Sequence, residues 1–229
     1  MPRRPRLDAV VLAAGLSRRM GRPKPLLPAG PGATLLSRAL EAAAAVDGRI
    51  WVVVGPAAAE LRAEALRWAR QRGEDARLRV VDHRGYARGL ASSVAAGVRA
   101  AAAGERPDGI LFLVVDQPAL ARKQVERLVE AFGRRGEALA VAAAEEGELR
   151  NPAVFARPLF DELLRLEGDV GARQLLGRYP DRVMRVELGR GPWFRDVDDP
   201  EAYRRLLEEM GWAGEGGERA QDAREGWRA

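Results

Sequence analysis

The chain has 229 residues and a mass of 25.0 kDa, and its 47% hydrophobic and 31% charged residues exclude a disordered chain and supply ample material for a buried core. It has no cysteine and one histidine, His83, which excludes disulfides, thiolate metal sites and cysteine nucleophiles and argues against a His-clustered metal centre or a Ser-His-Asp triad. The net charge of +5 is carried almost wholly by arginine and favours anionic ligands in general, but acids are interspersed and no aromatic-basic stripe is present, so nucleic acid is not an expected partner.

Residues 8–13 (DAVVLA) form a short apolar run closed by Ala14-Gly15 and read as a buried strand. A Gly/Pro/Arg-rich loop over 15–32 follows, then a helix over 35–45. A second buried strand is expected over 50–54, closed by Gly55-Pro56, then a helix over 57–72 and a short strand over 78–81. An Ala-rich helix spans 89–103. Residues 109–115 (GILFLVV) are the clearest buried strand and end at Asp116-Gln117-Pro118. Val125, Leu128, Val129 and Phe132 share one helical face. Further strands are expected over 139–143, weakly over 153–156, and over 183–188, with a helix starting at Pro158 between the last two. Tyr203, Leu206, Leu207 and Met210 mark a final helix, and 211–229 reads as a disordered tail after one domain over 1–210.

Strands alternating with helices predict an α/β fold, a mostly parallel mixed sheet with helices on both faces. Ligands in such sheets bind beyond the carboxyl ends of the strands. No apolar run approaches the roughly 18 residues of a membrane span. The run after the basic start is broken by Gly15 and Arg18, so no secretory signal is expected and the cytoplasm is the expected location.

The segment from Leu12 to Lys24 combines small residues with charge. Ala13, Ala14 and Gly15 let backbone amides approach a ligand closely, while Arg18, Arg19, Arg22 and Lys24 add cations with no acid among them. That suits a polyphosphate, although the spacing is not that of a Walker A loop; a solvated basic loop is the bland alternative. Ser92 and Ser93, after Gly89, suit either helix capping or contact with a base or ribose. His83 reads as structural. Asp116 at the mouth of the sheet suits Mg²⁺ bridged to a phosphate, or a turn. Pro200 suits a first helical position, which makes Asp199 the N-cap. If 196–198 is extended, Asp196 and Asp198 share a face, as a pair of cation ligands or as surface charges. Asp169 and Arg173 lie in a segment that reads as a turn and helix start, and Asn151 before Pro152 reads as a turn.

Taken together, these segments resemble the MobA-like nucleotidyltransferases, and within them the molybdenum cofactor cytidylyltransferases. Residues 12–24 are similar to that family's L-A-[AG]-G-x-S-x-R-M-G-x-P-K signature over its whole length. Gly89-Leu-Ala-Ser-Ser93, Asp116-Gln-Pro118, Asn151-Pro-Ala-Val-Phe155, Gly168-Asp-Val-Gly-Ala-Arg173 and Asp196-Val-Asp-Asp-Pro-Glu201 follow in the family's order. The resemblance covers residues 7–207. It implies a Rossmann-like nucleotidyltransferase fold and an Mg²⁺-dependent transfer of a nucleoside monophosphate to a phosphate acceptor. Leu12, Ala13, Ala14, Gly15, Gly89, Ser92 and Ser93 would then line the nucleotide. Arg19 and Lys24 would hold the triphosphate. Asp116 would bind Mg²⁺ with Asp196 or Asp198, Asp196 being preferred. Asn151, Asp169 and Arg173 would face the acceptor. The Ala-Ala-Gly form resembles the CTP-using branch, so the implied partners are CTP, the molybdopterin cofactor as acceptor, and a molybdoenzyme or its chaperone.

Overall fold

The computed structural model describes residues 4–212; of the tail expected over 211–229, residues 213–229 lie outside them, while Trp212 is packed against the chain, with Arg38 4.4 Å over its ring. The apolar runs become β1 (Leu7–Ala13), β2 (Ile50–Val54), β3 (Leu78–Asp82) and β4 (Gly109–Val114), followed by β5 (Ala140–Glu145), β6 (Glu148–Ala156) and β7 (Val183–Glu187). They join in one sheet ordered β3-β2-β1-β4-β6-β5-β7. Every pairing is parallel except the two made by β6. This is the mostly parallel mixed sheet that the alternation of strands and helices predicts.

β1 is buried along its whole length, so its alternate residues feed two different layers. Leu7, Ala9, Val11 and Ala13 join Leu40 of α1 (Leu35–Ala43), Leu61 of α2 (Ala58–Arg72) and Phe132 of α4 (Arg122–Gly133). Val10 and Leu12 join Val94 and Val98 of α3 (Leu90–Ala102) and Leu163 of α5 (Phe160–Leu164). Gly97 sets the closeness of α3 to the sheet, because a Cβ there would lie 2.5 Å from Val10 Cγ1. Asp8 is a fully buried carboxylate inside β1; it accepts from the Arg49 amide at 3.0 Å and from Trp51 Nε1 at 2.9 Å, which satisfies it.

The strand order reverses between β1 and β4, the chain building outward through β2 and β3 on one side and through β4 on the other. A crevice opens at that point beyond the carboxyl ends of both strands. The loop after β1 and the turn at Asp116 after β4 therefore meet, although 92 positions separate Lys24 from Asp116.

Most expected elements appear within a residue or two of their expected bounds. The exceptions are instructive. The weak strand over 153–156 is a nine-residue strand that begins at Glu148 and pairs antiparallel with both β4 and β5. The hairpin turn joining β5 to β6 has positive φ at Glu146 (52°) and Gly147 (81°), the pattern that matches strand twist in a tight hairpin. The helix expected at Pro158 starts as a 3-10 turn, Arg157–Leu159, before α5. The segment after Gly171 is a 3-10 helix, Ala172–Arg178. At the chain end, α6 (Pro200–Glu209) is capped as Pro200 requires, with Asp199 accepting from the Ala202 amide at 2.8 Å.

A third, smaller cluster matters for the site. Met20, Leu27 and Leu35 pack with Val197, Tyr203 and Leu206, and the Tyr203 hydroxyl donates to the Pro28 carbonyl at 2.6 Å. The loop after β1 and the segment leading into α6 thus share one apolar anchor.

Candidate active site

At the end of β1, Leu12, Ala13 and Ala14 are buried and Gly15 emerges into solvent. Ser17 then adopts a left-handed conformation, φ 51°, an uncommon choice for a residue with a Cβ. Its Oγ accepts the backbone N–H of Lys24 at 2.9 Å, which closes the loop into a ring. Met20 is buried inside that ring's base, and Gly21 supplies a second positive φ of 63°.

The ring aims Lys24 at the acidic residues. Its Nζ donates to the Val197 carbonyl at 2.8 Å and stands 3.4 Å from both Asp116 Oδ2 and Asp198 Oδ1. Arg19, largely exposed, reaches Asp198 at 3.6 Å. Asp196 faces differently: its Oδ1 accepts from Gln117 Nε2 at 2.9 Å. Burial pushes the Asp116 carboxyl above the ordinary carboxylate range; Lys24 pulls it back, and the charges of Asp196 and Asp198 push it up again. Asp116 Oδ1 is buried and has no hydrogen-bond partner.

These segments were legible in the sequence, and the contacts between them were not. Gln117 carried no assigned role, yet its place directly after an apolar strand was the available signal. The Val197 carbonyl is backbone and left no trace in residue type.

On the other side of the crevice, Ser92 is not the N-cap of α3; that position belongs to Gly89. The Ser92 Oγ lies 2.8 Å from the Gly89 carbonyl, 3.1 Å from that of Gly85 and 2.9 Å from His83 Nε2. A hydroxyl has a single proton. With that proton given to a carbonyl, His83 donates from Nε2. Burial, then Arg88 and Arg99, hold the His83 pKa below its usual value, which favours this neutral form. Ser93 is buried.

The start of α3 is occupied by the chain itself. The Leu90 amide donates to Asp169 Oδ1 at 3.3 Å, and the Ala91 amide to the Gly168 carbonyl at 3.2 Å. Gly89 must be glycine here, since a Cβ would fall 2.4 Å from the Gly168 oxygen and φ is 98°. Asp169 is thus placed as a cap on α3, and Arg173 is exposed on the 3-10 helix that follows. Asn151 lies in β6, two residues before Ala153, which pairs with Phe112 of β4. It therefore flanks the carboxyl end of β4.

Two hollows adjoin this region. One of about 230 Å³ is lined by Ala13, Gly15, Ser17, Gly21, Arg22 and Pro56, directly under the loop. A larger one of about 630 Å³ lies between the β5–β6 hairpin and the segment before Asp196, lined by Glu145, Arg150, Arg190, Phe194, Arg195 and Glu209. Its charges are already paired, Arg150 with Glu145 at 3.3 Å, Arg190 with Glu146 at 2.5 Å, and Arg195 with Glu209. The smaller hollow has Arg22 and no acid in its lining. No helix among the described residues is long and apolar enough to cross a membrane.

Known proteins resemble this chain in sequence and in fold. The family model described as the MobA-like NTP transferase domain matches residues 9–183, a span that holds the β1 loop, the 83–93 segment and Asp116. The chain is 35% identical over 213 residues to the nicotine blue oxidoreductase of Paenarthrobacter nicotinovorans, covering 89% of this chain and 97% of that one. It is 32% identical over 212 residues to the purine catabolism protein PucB of Bacillus subtilis (strain 168), covering 88% and 96%. A solved structure of Rv0371c from Mycobacterium tuberculosis H37Rv, in complex with manganese, superposes with a TM-score of 0.67 at 30% identity over 89% of this chain and 98% of that one. The chain belongs to the MobA-like NTP transferase family.

Proposed function

We propose that this protein transfers a nucleoside monophosphate, CMP from CTP, onto the phosphate of the molybdopterin cofactor and releases pyrophosphate. The observation that carries the reading is the convergence of Lys24, from the glycine-rich loop, on Asp116 and Asp198 at 3.4 Å each. A loop built for phosphate meets a carboxylate pair at the strand crevice. The choice of CTP and of molybdopterin rests on the likeness of Ala13-Ala14-Gly15 and its flanking motifs to the cytidylyltransferase branch.

In this reaction an oxygen of the acceptor phosphate forms a bond to the α-phosphorus, and the bond from that phosphorus to the β-phosphate bridging oxygen breaks. The acceptor oxygen is already anionic at neutral pH, so no general base is required, which agrees with the poverty of the site in histidine and cysteine. The work of the chain is positioning and charge neutralisation. Lys24 and Arg19 hold the triphosphate and offset charge that builds on the departing pyrophosphate. The amides of the Ala14–Gly15 turn and the hydroxyl and carbonyl groups near Ser92 line the nucleoside. Asn151, which flanks the carboxyl end of β4, would face the acceptor.

The acidic residues fit a divalent cation. Asp116 Oδ1 is buried without a partner, and Asp198 offers a second hard oxygen beside the same ammonium. Among the described residues no group of three or more acidic or imidazole side chains is set to hold a metal. Two carboxylates are what Mg²⁺ takes when phosphate oxygens and water complete its shell. Asp116 and Asp198 would hold it, with Asp196 oriented by Gln117 alongside. Bound there, the cation would polarise the α-phosphate and lower the repulsion met by the anionic acceptor. The manganese complex of the relative Rv0371c supports a divalent cation in this family.

The test is pyrophosphate release with Mg²⁺, offering CTP, GTP, ATP and UTP in parallel, with and without the molybdopterin cofactor. Release with CTP only when that acceptor is present is the expected result. Release with CTP and a different phosphate monoester, such as a sugar phosphate, would replace the acceptor. Tight CTP binding with no release for any acceptor would make the protein a nucleotide-binding regulator.

A further inference from the structure

We propose that Lys24 occupies, in the nucleotide-free protein, the place between Asp116 and Asp198 that a divalent cation needs, so that the cation binds weakly until a polyphosphate draws Lys24 away. This rests on the reading of Asp116 and Asp198 as cation ligands. It adds an order of binding that the reading itself does not contain.

The geometry is that of a resident cation. The Lys24 ammonium has three donors, and they meet the Val197 carbonyl at 2.8 Å and the two carboxylates at 3.4 Å. Its side chain is 15% exposed, against 29% for Asp116 and 45% for Asp198, so the ammonium is well covered where it bridges them. The backbone beneath it is held. Ser17 takes the Lys24 amide, Pro23 and Pro25 flank it, and Pro25 is buried. Any exchange must therefore be a swing of the side chain alone.

Two positive charges cannot share one carboxylate pair at contact distance without strong mutual repulsion. A metal ion alone must therefore displace the ammonium into a loop that has no acid of its own over residues 17–24, where Arg19 and Arg22 repel it. A polyphosphate reverses this. It gives the ammonium a new anionic partner within the same loop and brings oxygens that complete the shell of the metal. Metal and nucleotide then raise each other's affinity by the same factor, as linkage demands.

Manganese binding to the whole chain, followed by the electron paramagnetic resonance of free Mn²⁺, tests this without reference to turnover. Wild type, Lys24→Met, Lys24→Gln and Asp116→Asn are titrated with Mn²⁺ alone and again with saturating α,β-methylene CTP. Both Lys24 variants should bind Mn²⁺ alone at least about tenfold more tightly than wild type, and wild type should tighten by a comparable factor when the analogue is added. Arg19→Met, which removes a nearby but exposed cation, should change Mn²⁺ binding far less. Equal Mn²⁺ affinity of wild type and both Lys24 variants, with Asp116→Asn weakened, overturns the proposal and leaves the metal reading standing. Unchanged Mn²⁺ binding by Asp116→Asn in the presence of the analogue overturns both.

Discussion

The amide of Val197 donates to the carbonyl of Asp116 at 2.8 Å. This one backbone bond fastens the segment of Asp196 and Asp198 against the end of β4. It sets which of the two later carboxylates faces Lys24. With Val197 buried in the third cluster, its neighbours point the other way, Asp198 toward Lys24 and Asp196 toward Gln117. The resemblance prefers Asp196, whereas the carboxylate that stands beside Lys24 is that of Asp198, which is therefore the one placed in the proposed cation site.

Substitution should separate the two acids. Asp198→Asn and Lys24→Ala should each lower the rate of pyrophosphate release by about 10²-fold, the usual cost of losing a charge contact made to the transition state. Asp196→Asn should cost much less, because an amide can still accept from Gln117. Initial rates at saturating CTP and acceptor, with circular dichroism as the check on folding, decide it. A rate for Asp196→Asn below that of Asp198→Asn would reverse the assignment.

Ser17 should matter for the nucleotide rather than for the fold. Ser17→Ala removes the acceptor for the Lys24 amide and leaves a Cβ at φ 51°. The loop loosens, and KM for the nucleotide should rise while the thermal midpoint moves little. Ser17→Asn, which tolerates the left-handed region and carries a carbonyl acceptor, should recover part of the loss. An unchanged KM in Ser17→Ala would show that the ring has no role in binding.

Gly97 predicts a packing defect. Its missing Cβ leaves the space that Val10 Cγ1 fills, 2.5 Å from where the Cβ would stand. Gly97→Ala should destabilise by about 1–3 kcal/mol through overpacking. Val10→Ala in the same chain should return part of that stability, because the two side chains then share the space. Urea unfolding of the two single variants and the double variant measures the coupling. Strictly additive losses would mean that α3 does not bear on β1 at this point.

Tyr203 carries a pH dependence at the alkaline end. Burial pushes its hydroxyl up from the ordinary 10.0 to about 12, with Arg22 pulling slightly the other way. The unfolded chain loses this proton first. The stabilisation is therefore complete below pH 10 and fades as pH rises through the folded value near 12. Tyr203→Phe should flatten this loss, and at neutral pH should cost about 1 kcal/mol for the bond to Pro28. Unfolding free energies of both proteins across that range would show it; parallel curves would refute it.

Local pattern was enough for the parallel half of the fold. The run at 109–115 is apolar throughout and became β4, and Pro200 after Asp199 specified the start of α6, because burial and capping are properties of neighbours in the chain. The same is true of the Gly-rich loop, whose small residues and cations are contiguous from Leu12 to Lys24. β6 was legible only at its apolar end. Its first residues, Glu148 to Asn151, are polar apart from Leu149 and lead into proline, so they carry the local marks of a turn; only pairing with β5 makes them strand. Ser92 likewise looked like a cap, yet Gly89 holds that position and the hydroxyl turns to His83, nine residues earlier. The meeting of Lys24 with Asp198 spans 174 positions. Residue types along the chain determined that a glycine-containing cationic loop and an acidic pair exist. Their alignment was decided by the reversal of strand order at β1 and β4 and by the small core of Met20, Val197 and Tyr203, since contacts between distant segments depend on packing that no local window contains.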